Sequence, residues 1–245
     1  MPRIALKLLV LAVLLPLPAA ALLTRADRDD DEYAELATRY PSAISLGVGQ
    51  GEGVLVAPRW VLTAAHRAVV LQDLKPRPTL AIGARRYEIE AVVLHPGWKG
   101  GRDDDIALLR LATPVADVAP AALQRVPDED AKGIVLVAHG SGGRLGASTV
   151  APRRRRASIN TVGGVGPKSF SVTIKAGDDA SDLQGAAVRE ETGAPAYLDS
   201  PEGFTVAGIL AAIGEAPDAP AGSAGEKEFF TRVSAYAAWI DANIR

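Results

Sequence analysis

The sequence predicts an all-β fold that ends in one α-helix. Short β-rich runs recur along the chain, and Gly, Pro or Asp punctuates each of them, as expected for many short strands joined by turns. The runs form two series of similar size, separated by the looser stretch 119–130. Clear helical spacing of apolar residues appears only near the C-terminus. Strands of this kind build either β-barrels or a sandwich, and periodicity does not choose between them.

The predicted elements follow in order along the chain. The first series of strands lies at residues 43–48, 53–56, 60–62, 79–82, 87–94 and 106–111. The second series lies at residues 133–138, 157–162, 169–175, 185–188 and 204–210. The closing helix is indicated by apolar side chains that share one helical face, namely Val233, Tyr236, Ala237, Ile240 and Ile244. We expect that face to dock against the β-structure.

The N-terminal segment has the layout of a secretory signal peptide. Arg3 and Lys7 precede an apolar run at residues 8–17, and three alanines follow at 19–21. The pattern predicts a leader over residues 1–21 and a secreted or periplasmic mature chain that begins near Leu22. The apolar run is too short to span a bilayer, so no membrane anchor is expected. Residues 22–39 are acidic and predict a solvated N-terminal arm with a short helix at 33–38.

Composition argues against several classes of chemistry. The 245 residues include no Cys, which removes disulfide, thiol and zinc-thiolate chemistry. The three His residues are scattered and lack acidic or Cys partners at ligand spacing, so neither a metal site nor a cofactor is expected. A formal net charge of −2 gives no general case for a nucleic-acid partner. The basic run at 153–156 is interpreted as a solvated loop, with contact to an anionic polymer as the alternative.

Two residues of the first series are suited to proton transfer. His66 follows an apolar run and two alanines, and Asp105 comes 39 residues later, directly before the apolar run 106–111. A buried carboxylate that accepts from one ring nitrogen fixes the tautomer of a His, and the other nitrogen can then act as general base. Taken singly, His66 is also explained as a hydrogen-bonded core residue and Asp105 as the cap of a strand.

The two segments together resemble a known family. Thr-Ala-Ala-His at 63–66 and Asp-Ile-Ala-Leu-Leu at 105–109 resemble the segments that hold the catalytic His and Asp of the trypsin-like serine proteases, in the same order. Residues 40–47, 206–209 and 231–240 resemble that family's first core strand, the strand after its nucleophile loop and its closing helix. The resemblance implies two six-stranded antiparallel β-barrels, at about residues 40–125 and 126–245, with the active site in the cleft between them.

The same resemblance implies a nucleophile loop. The family places its catalytic Ser within Gly-Asp-Ser-Gly-Gly, and residues 181–187, Ser-Asp-Leu-Gln-Gly-Ala-Ala, are aligned with that motif. Asp182 and Gly185 match, whereas the nucleophile position falls on Leu183. Leucine has no oxygen to attack a carbonyl, and loss of the nucleophile in such a triad costs on the order of a millionfold in turnover.

Other features of this alignment also depart from the family pattern. Ser181 and Gln184 stand where the family uses Gly to present two backbone N–H groups as an oxyanion hole. In this alignment the resemblance implies that Asp182 pairs with the α-amino group of a new N-terminus. Leu22 is the candidate for that N-terminal residue. Ser181, two residues before the nucleophile position, is the weaker candidate nucleophile, and Ser200 is another.

The substrate pocket implied by the resemblance carries no charge. Its base lies about six residues before the nucleophile, at Gly177, and its wall includes Ala211 where the family has Ser-Trp-Gly. The leading hypothesis is therefore an inactive, secreted pseudoprotease that binds a protein or peptide in the inter-barrel cleft. The alternative is an active serine endopeptidase that uses His66, Asp105 and a displaced serine nucleophile. An unrelated β-sandwich is the third interpretation.

Overall fold

A computed structural model describes residues 20–147, 153–200, 203–214 and 219–244. The predicted leader lies outside these residues, apart from Ala20 and Ala21. The strands are β1 (Ala20–Thr24), β2 (Ala43–Gly47), β3 (Gly51–Ala57), β4 (Trp60–Thr63), β5 (Thr79–Ile82), β6 (Arg85–Leu94), β7 (Ala107–Leu111), β8 (Ala122–Leu123), β9 (Gly133–Arg144), β10 (Arg153–Val165), β11 (Ser169–Thr173), β12 (Gly185–Ala186), β13 (Pro195–Ser200), β14 (Gly203–Gly214) and β15 (Lys227–Arg232). The α-helices are α1 (Asp30–Thr38), α2 (Ala65–Gln72) and α3 (Ala237–Asn243), and 3₁₀ turns lie at Gly177–Asp179, Arg189–Glu191 and Val233–Tyr236.

The first barrel is a six-stranded sheet in the order β2-β3-β4-β7-β6-β5. All of its strand pairs are antiparallel. Side chains of β5 alternate between exposed and buried, as expected for a strand with one face toward a core. Val61, Leu109 and Leu111 are fully buried inside this barrel. The ends of the path meet where β5 lies against β2, which closes the barrel.

The second barrel contains six longer strands in the order β10-β11-β15-β14-β13-β9, and pairing of β9 with β10 closes it. The rings of Phe170 and Phe230 stack in its core with their centroids 5.0 Å apart. Three short strands join this sheet from outside: β1 and β12 extend it beyond β9, and β8 pairs with β14 although it precedes the expected boundary at residue 125. The all-β fold of two six-stranded barrels is confirmed.

The barrels pack against each other through a shared apolar cluster. It joins Val54 and Leu108 of the first barrel to Val137 and Val206 of the second, together with Ile240 of α3. All five side chains are fully buried. Burial of apolar surface between the barrels holds them together and leaves a cleft along one edge of the contact. The C-terminal helix docks as its spacing predicts, although an α-helix begins only at Ala237, after a 3₁₀ turn.

The acidic segment 22–39 is not a solvated arm. Its helix α1 begins with a capping box in which the side chains of Asp29 and Glu32 satisfy each other's backbone. Tyr33 of α1 is fully buried in the second barrel. Asp30 forms two hydrogen bonds to Arg156, at 2.7 and 2.8 Å, and the Arg156 side chain has no exposed surface. The basic run is therefore part of strand β10 and pairs with the acidic segment, so the interpretation as a solvated loop is wrong.

Candidate functional site

His66 and Asp105 meet in the geometry expected of a proton relay. His66 lies in the first turn of α2, and Asp105 lies just before β7, with only 2% of its surface exposed. Asp105 Oδ2 lies 2.7 Å from His66 Nδ1, and Oδ1 accepts the backbone N–H of His66 at 2.9 Å. Thr231 Oγ1 also donates to the Asp105 carbonyl oxygen at 3.0 Å. The carboxylate thus holds the imidazole with Nε2 directed into the cleft.

The side chain that meets His66 Nε2 belongs to Thr192. Thr192 Oγ1 lies 2.8 Å from that nitrogen. Thr192 follows the 3₁₀ turn Arg189–Glu191, and β13 begins at Pro195. In this register, Glu-Glu-Thr-Gly-Ala at 190–194 corresponds to the Gly-Asp-Ser-Gly-Gly motif. The nucleophile position therefore holds a threonine, which sequence reasoning missed.

Leu183 does not occupy the nucleophile position. Its side chain packs against the core of the second barrel, and its carbonyl oxygen accepts the backbone N–H of Ile159 at 2.8 Å. Ser181 Oγ donates to the Ile159 carbonyl oxygen, so this hydroxyl serves strand β10. Ser200 ends β13, opposite Gly203. The alignment of residues 181–187 with the nucleophile loop is thus corrected by about nine residues, since Leu183 and Thr192 are that far apart in the chain.

Asp182 and Gly185 have structural rather than catalytic surroundings. The Asp182 side chain is 88% exposed and forms an ion pair with Arg28 at 2.8 Å. Gly185 lies in β12 opposite Thr24, and a Cβ there would lie 2.7 Å from the Cβ of Ser158. Gly185 is therefore needed for the close approach of strands, and Asp182 is a surface residue.

The two expected pocket residues have different outcomes. Gly177 is exposed in its own 3₁₀ turn, with φ of +59°, and does not line the cleft beside His66. Ala211 does line that cleft, together with Thr192. Six residues before Thr192 stands Ala186, which is fully buried and pairs with Leu23 of β1. Ala211 thus lies in the cleft beside His66, whereas Gly177 does not.

Glu191 takes the position expected for Asp182. Its side chain is almost fully buried, Oε1 accepts the backbone N–H of Leu22 at 2.6 Å, and Oε2 accepts that of Val188 at 2.9 Å. Burial raises the pKa of Glu191 well above its usual range, against the effect of these two hydrogen bonds. The acid that precedes the nucleophile thus contacts Leu22, the residue at which the mature chain is expected to begin.

Arg67 lies across the nucleophile loop. Its Nε donates to Thr192 Oγ1 at 2.6 Å, and its Nη2 donates to the carbonyl oxygen of Arg189. That same carbonyl accepts the backbone N–H of Thr192 at 3.3 Å. A Cβ on Gly51 would lie 2.9 Å from Cγ and Cδ of Arg67, so glycine at this position makes room for the aliphatic part of that side chain. Both the hydroxyl and the N–H of Thr192 are therefore engaged within the loop.

The glycine after Thr192 fixes the loop against the first barrel. Gly193 has φ of +93°, a conformation that L side chains rarely adopt. A Cβ at Gly193 would overlap the carbonyl oxygen of Glu52 and lie 2.5 Å from Thr63 Oγ1. The backbone N–H of Glu52 also donates to the Thr192 carbonyl oxygen at 3.1 Å. These contacts seat the second barrel's loop directly on strands β3 and β4.

A second His–carboxylate pair joins the barrels behind the loop. His139 Nδ1 lies 2.7 Å from Glu52 Oε2. Burial lowers the pKa of His139 to about 3 and raises that of Glu52 well above its usual range. The pair is a buried polar link and does not reach the cleft lining.

The comparisons with known proteins now place this geometry. A family model described as Trypsin matches residues 32–240. The chain belongs to the trypsin family. Mouse neuropsin, described as a serine protease expressed in the limbic system of the brain, superposes with a TM-score of 0.66 over 84% of this chain and 95% of that chain. Its identity of 17% supports the shared trypsin-like fold alone.

Curated relatives match shorter stretches of this trypsin-family chain. Granzyme M of Rattus norvegicus is 38% identical over 96 residues, which are 33% of this chain and 36% of the relative. The venom peptide isomerase heavy chain of Agelenopsis aperta is 35% identical over 74 residues, 26% of this chain and 30% of the relative. The chain thus spans about a third of the length of these two relatives.

Within residues 20–147, 153–200, 203–214 and 219–244, no three His, Asp or Glu side chains gather in a way that would hold a metal ion. Across the same part of the chain, no helix has the length and apolar character needed to cross a membrane.

Proposed function

We propose that this trypsin-family protein is a secreted pseudoprotease that holds a polypeptide in the cleft between its barrels without cleaving it. The main observation behind this proposal is that both the backbone N–H and the hydroxyl of Thr192 are already hydrogen-bonded. Its N–H donates to the Arg189 carbonyl oxygen, and its hydroxyl accepts from Arg67. Acyl transfer requires a hydroxyl that is free to attack and N–H donors aimed at the developing oxyanion. Loss of one such donor alone costs about 10²- to 10³-fold in turnover.

Changes in the loop chemistry support the same conclusion. The family's first motif glycine is Glu190 here, and the N–H groups of an oxyanion hole would come from Glu190 and Thr192. Thr192 also carries a methyl group on the carbon that bears its hydroxyl, which restricts χ1 compared with serine. The loop thus departs from the family in three ways: the N–H and hydroxyl of Thr192 are hydrogen-bonded, Glu190 replaces a glycine, and threonine replaces serine. In a chain that keeps both barrels, these changes favour binding over turnover.

A second function is favoured by the 2.8 Å distance between His66 Nε2 and Thr192 Oγ1. In this alternative the protein is a slow acyl hydrolase with a threonine nucleophile. Thr192 Oγ1 attacks the carbonyl carbon while its proton passes to His66 Nε2, and His66 then gives that proton to the leaving amine. Water hydrolyses the acyl-threonine. Asp105 holds the imidazole throughout.

Secretion and maturation belong to the same proposal. Cleavage after Ala21 would turn the Leu22 amide into an α-ammonium group beside Glu191 Oε1, which now lies 2.6 Å from that nitrogen. A positive charge there would relieve the cost of burying the Glu191 carboxylate. Removal of the leader and completion of the nucleophile loop are thus coupled. Export also agrees with the leader pattern of residues 1–21.

The deciding experiment compares casein hydrolysis and fluorophosphonate labelling across five proteins. These are the unmodified mature chain and the variants His66→Ala, Thr192→Ala, Thr192→Ser and Leu183→Ser. We expect no turnover and no label in the unmodified chain, and none after Leu183→Ser, because that position lies outside the cleft. Cleavage that disappears in both His66→Ala and Thr192→Ala would establish the threonine hydrolase and overturn the pseudoprotease. Thr192→Ser shows how far the methyl group alone limits attack.

A further inference from the structure

We propose that the cleft recognises a carboxylate of its polypeptide ligand, held by Arg67 beside Thr192. The inference rests on the proposed binding function and specifies the chemistry of the bound group. The cleft has a volume of about 300 Å³. Its polar side is formed by His66, Arg67, Arg189 and Thr192, and no Asp or Glu is among the described residues that line it.

Arg67 is a partly buried cation without an acidic partner in contact. Its guanidinium donates hydrogen bonds to neutral oxygens, namely Thr192 Oγ1 and the carbonyl oxygens of Gly49 and Arg189. Within the described part of the chain, no carboxylate forms an ion pair with its guanidinium. Burial lowers the pKa of Arg67 against the opposing effect of the nearby acidic groups Glu190, Asp105 and Glu52, so the site still bears a cost for desolvating this charge. A bound carboxylate would offset that cost through charge-assisted hydrogen bonds.

A guanidinium is well matched to a carboxylate. Its planar fork presents parallel N–H donors at the spacing of two carboxylate oxygens. Three donors of Arg67 are engaged, at Nε, Nη1 and Nη2, and each terminal nitrogen retains a second N–H. Arg189 lies on the exposed rim of the same cleft. Asp105 is behind His66, and both of its oxygens already accept from that residue.

The opposite wall of the cleft suits an extended apolar peptide. It is formed by Ala211, Ala212 and Ile213 of β14. On the β13 side of β14, backbone hydrogen bonding ends at Leu210, which bonds to Gly193 and Ala194, so residues 211–213 run past the end of that neighbour. An extended chain can lie along such an edge and direct one end toward the Arg67 side. The ligand that fits is therefore a peptide with small or aliphatic residues next to a carboxylate.

Two kinds of peptide carboxylate share this chemistry, and three probes distinguish them. The probes are acetyl-Ala-Ala-Leu as the free acid, the same peptide as its amide, and acetyl-Ala-Asp-Leu-amide, each bound to the mature chain and followed by calorimetry. We expect at least one acid to bind about tenfold or more tighter than the neutral amide, because hydrogen bonds to charged groups are worth that much. Preference for the free acid indicates a C-terminal carboxylate, and preference for the Asp peptide indicates an acidic side chain.

Variants of Arg67 connect the effect to the proposed group. Arg67→Met should abolish the preference for acid over amide, and Arg67→Lys should retain part of it, since Lys keeps the charge without the fork. Arg85→Met is the matched control, because Arg85 is an exposed arginine of β6 outside the cleft, and it should leave the preference unchanged. Thermal unfolding of each variant verifies that it is folded.

The outcomes separate this inference from the proposed function. Equal binding of all three probes, or a preference that survives Arg67→Met and Arg67→Lys, would overturn the carboxylate site and leave the binding function standing. If no probe binds while casein-derived peptides do, the carboxylate site is likewise overturned and the binding function stands. Hydrolysis of casein or labelling of Thr192 would overturn the pseudoprotease, whatever the probes show.

Discussion

The two barrels contribute unequal halves of the site. The first barrel supplies His66 and Asp105, and the 2.7 Å distance between His66 Nδ1 and Asp105 Oδ2 is that expected of a proton relay. The second barrel supplies Thr192 on a loop whose N–H and hydroxyl are engaged by Arg189 and Arg67. The half that moves protons has kept the family's residues, whereas the half that attacks and stabilises the oxyanion has changed. Under the proposed function, the site retains its relay residues although the groups around the nucleophile position do not support turnover.

The changed half still keeps its mechanical parts. Gly193 retains the positive φ and the close approach to Glu52, and Glu191 remains a buried acid at the Leu22 amide. The residues that fix the shape of the loop thus match the family's motif more closely than Glu190, which stands where the family has glycine. The contrast between shape and chemistry within one loop can be tested by substitution.

The largest effect is expected at Gly193. Gly193→Ala places a Cβ onto the Glu52 carbonyl oxygen in a backbone conformation that disfavours alanine. We expect a loss of about 3 kcal/mol or more in the free energy of unfolding, measured by urea denaturation. Gly133→Ala is the control, because a Cβ there meets no atom within 4 Å, and it should change stability by less than about 0.5 kcal/mol. Equal stability of the two variants would mean that the loop is not held against the first barrel.

A smaller effect is expected at Glu191. In the chain processed at Leu22, Glu191→Gln removes the buried charge while it keeps the shape of the side chain. The free energy of unfolding should fall by about 2 kcal/mol, the usual value for hydrogen bonds to a charged group. Asp182→Asn is the matched control, since its ion pair with Arg28 is largely exposed and such pairs contribute little. An effect at Asp182 equal to that at Glu191 would restore the original assignment of the acid.

The sequence predicts the relay residues His66 and Asp105 correctly in position but not the nucleophile loop, for a physical reason. His66 and Asp105 stand in long apolar contexts that match the family, so their residue types and order were sufficient. The loop at 190–194 shares only the glycine at its fourth position, Gly193, with Gly-Asp-Ser-Gly-Gly, whereas Ser-Asp-Leu-Gln-Gly at 181–185 matches at two positions. The missed signal was chemical: an acid, a hydroxyl and a glycine in consecutive order at 191–193, followed by Pro195 and a strand.

The same limit applies to the fold. The barrel strands with alternating or continuous apolar residues were predicted within a few residues, but β13 and β15 were missed. Proline begins β13, which is tolerated at the first position of a strand, and β15 carries charges at Lys227 and Glu228 that suggest a surface loop. Glu228 is in fact fully buried, because tertiary packing and a hydrogen bond to Ala187 accommodate it. Such burial is not visible in a single sequence.

The smallest predicted effect is a pH dependence of stability that arises from Glu228 in the second barrel. The Glu228 carboxyl in the second barrel accepts the Ala187 N–H at 2.5 Å, and its other oxygen has no hydrogen-bond partner among the described residues. Burial raises the pKa of Glu228 to about 8, from 4.5 for the free side chain. The folded chain therefore holds a proton that the unfolded chain releases between these values. The stability from this group is complete below about pH 4.5 and declines as pH rises toward 8, by at most about 1.4 kcal/mol per pH unit.

Glu228→Gln isolates this group, because the amide does not titrate. The slope of unfolding free energy against pH is measured by urea denaturation from pH 5 to 8. It should become less negative by up to about 1.4 kcal/mol per pH unit, the value for one proton, while Glu52 and Glu191 still contribute their own slopes. Glu190→Gln is the control, because Glu190 is an exposed residue of the same loop region and should leave the slope unchanged. Identical slopes in all three proteins would mean that Glu228 is ionised in its buried site. The second barrel would then hold a negative charge behind the nucleophile loop, and the attraction of the cleft for carboxylates would be weaker than its arginines suggest.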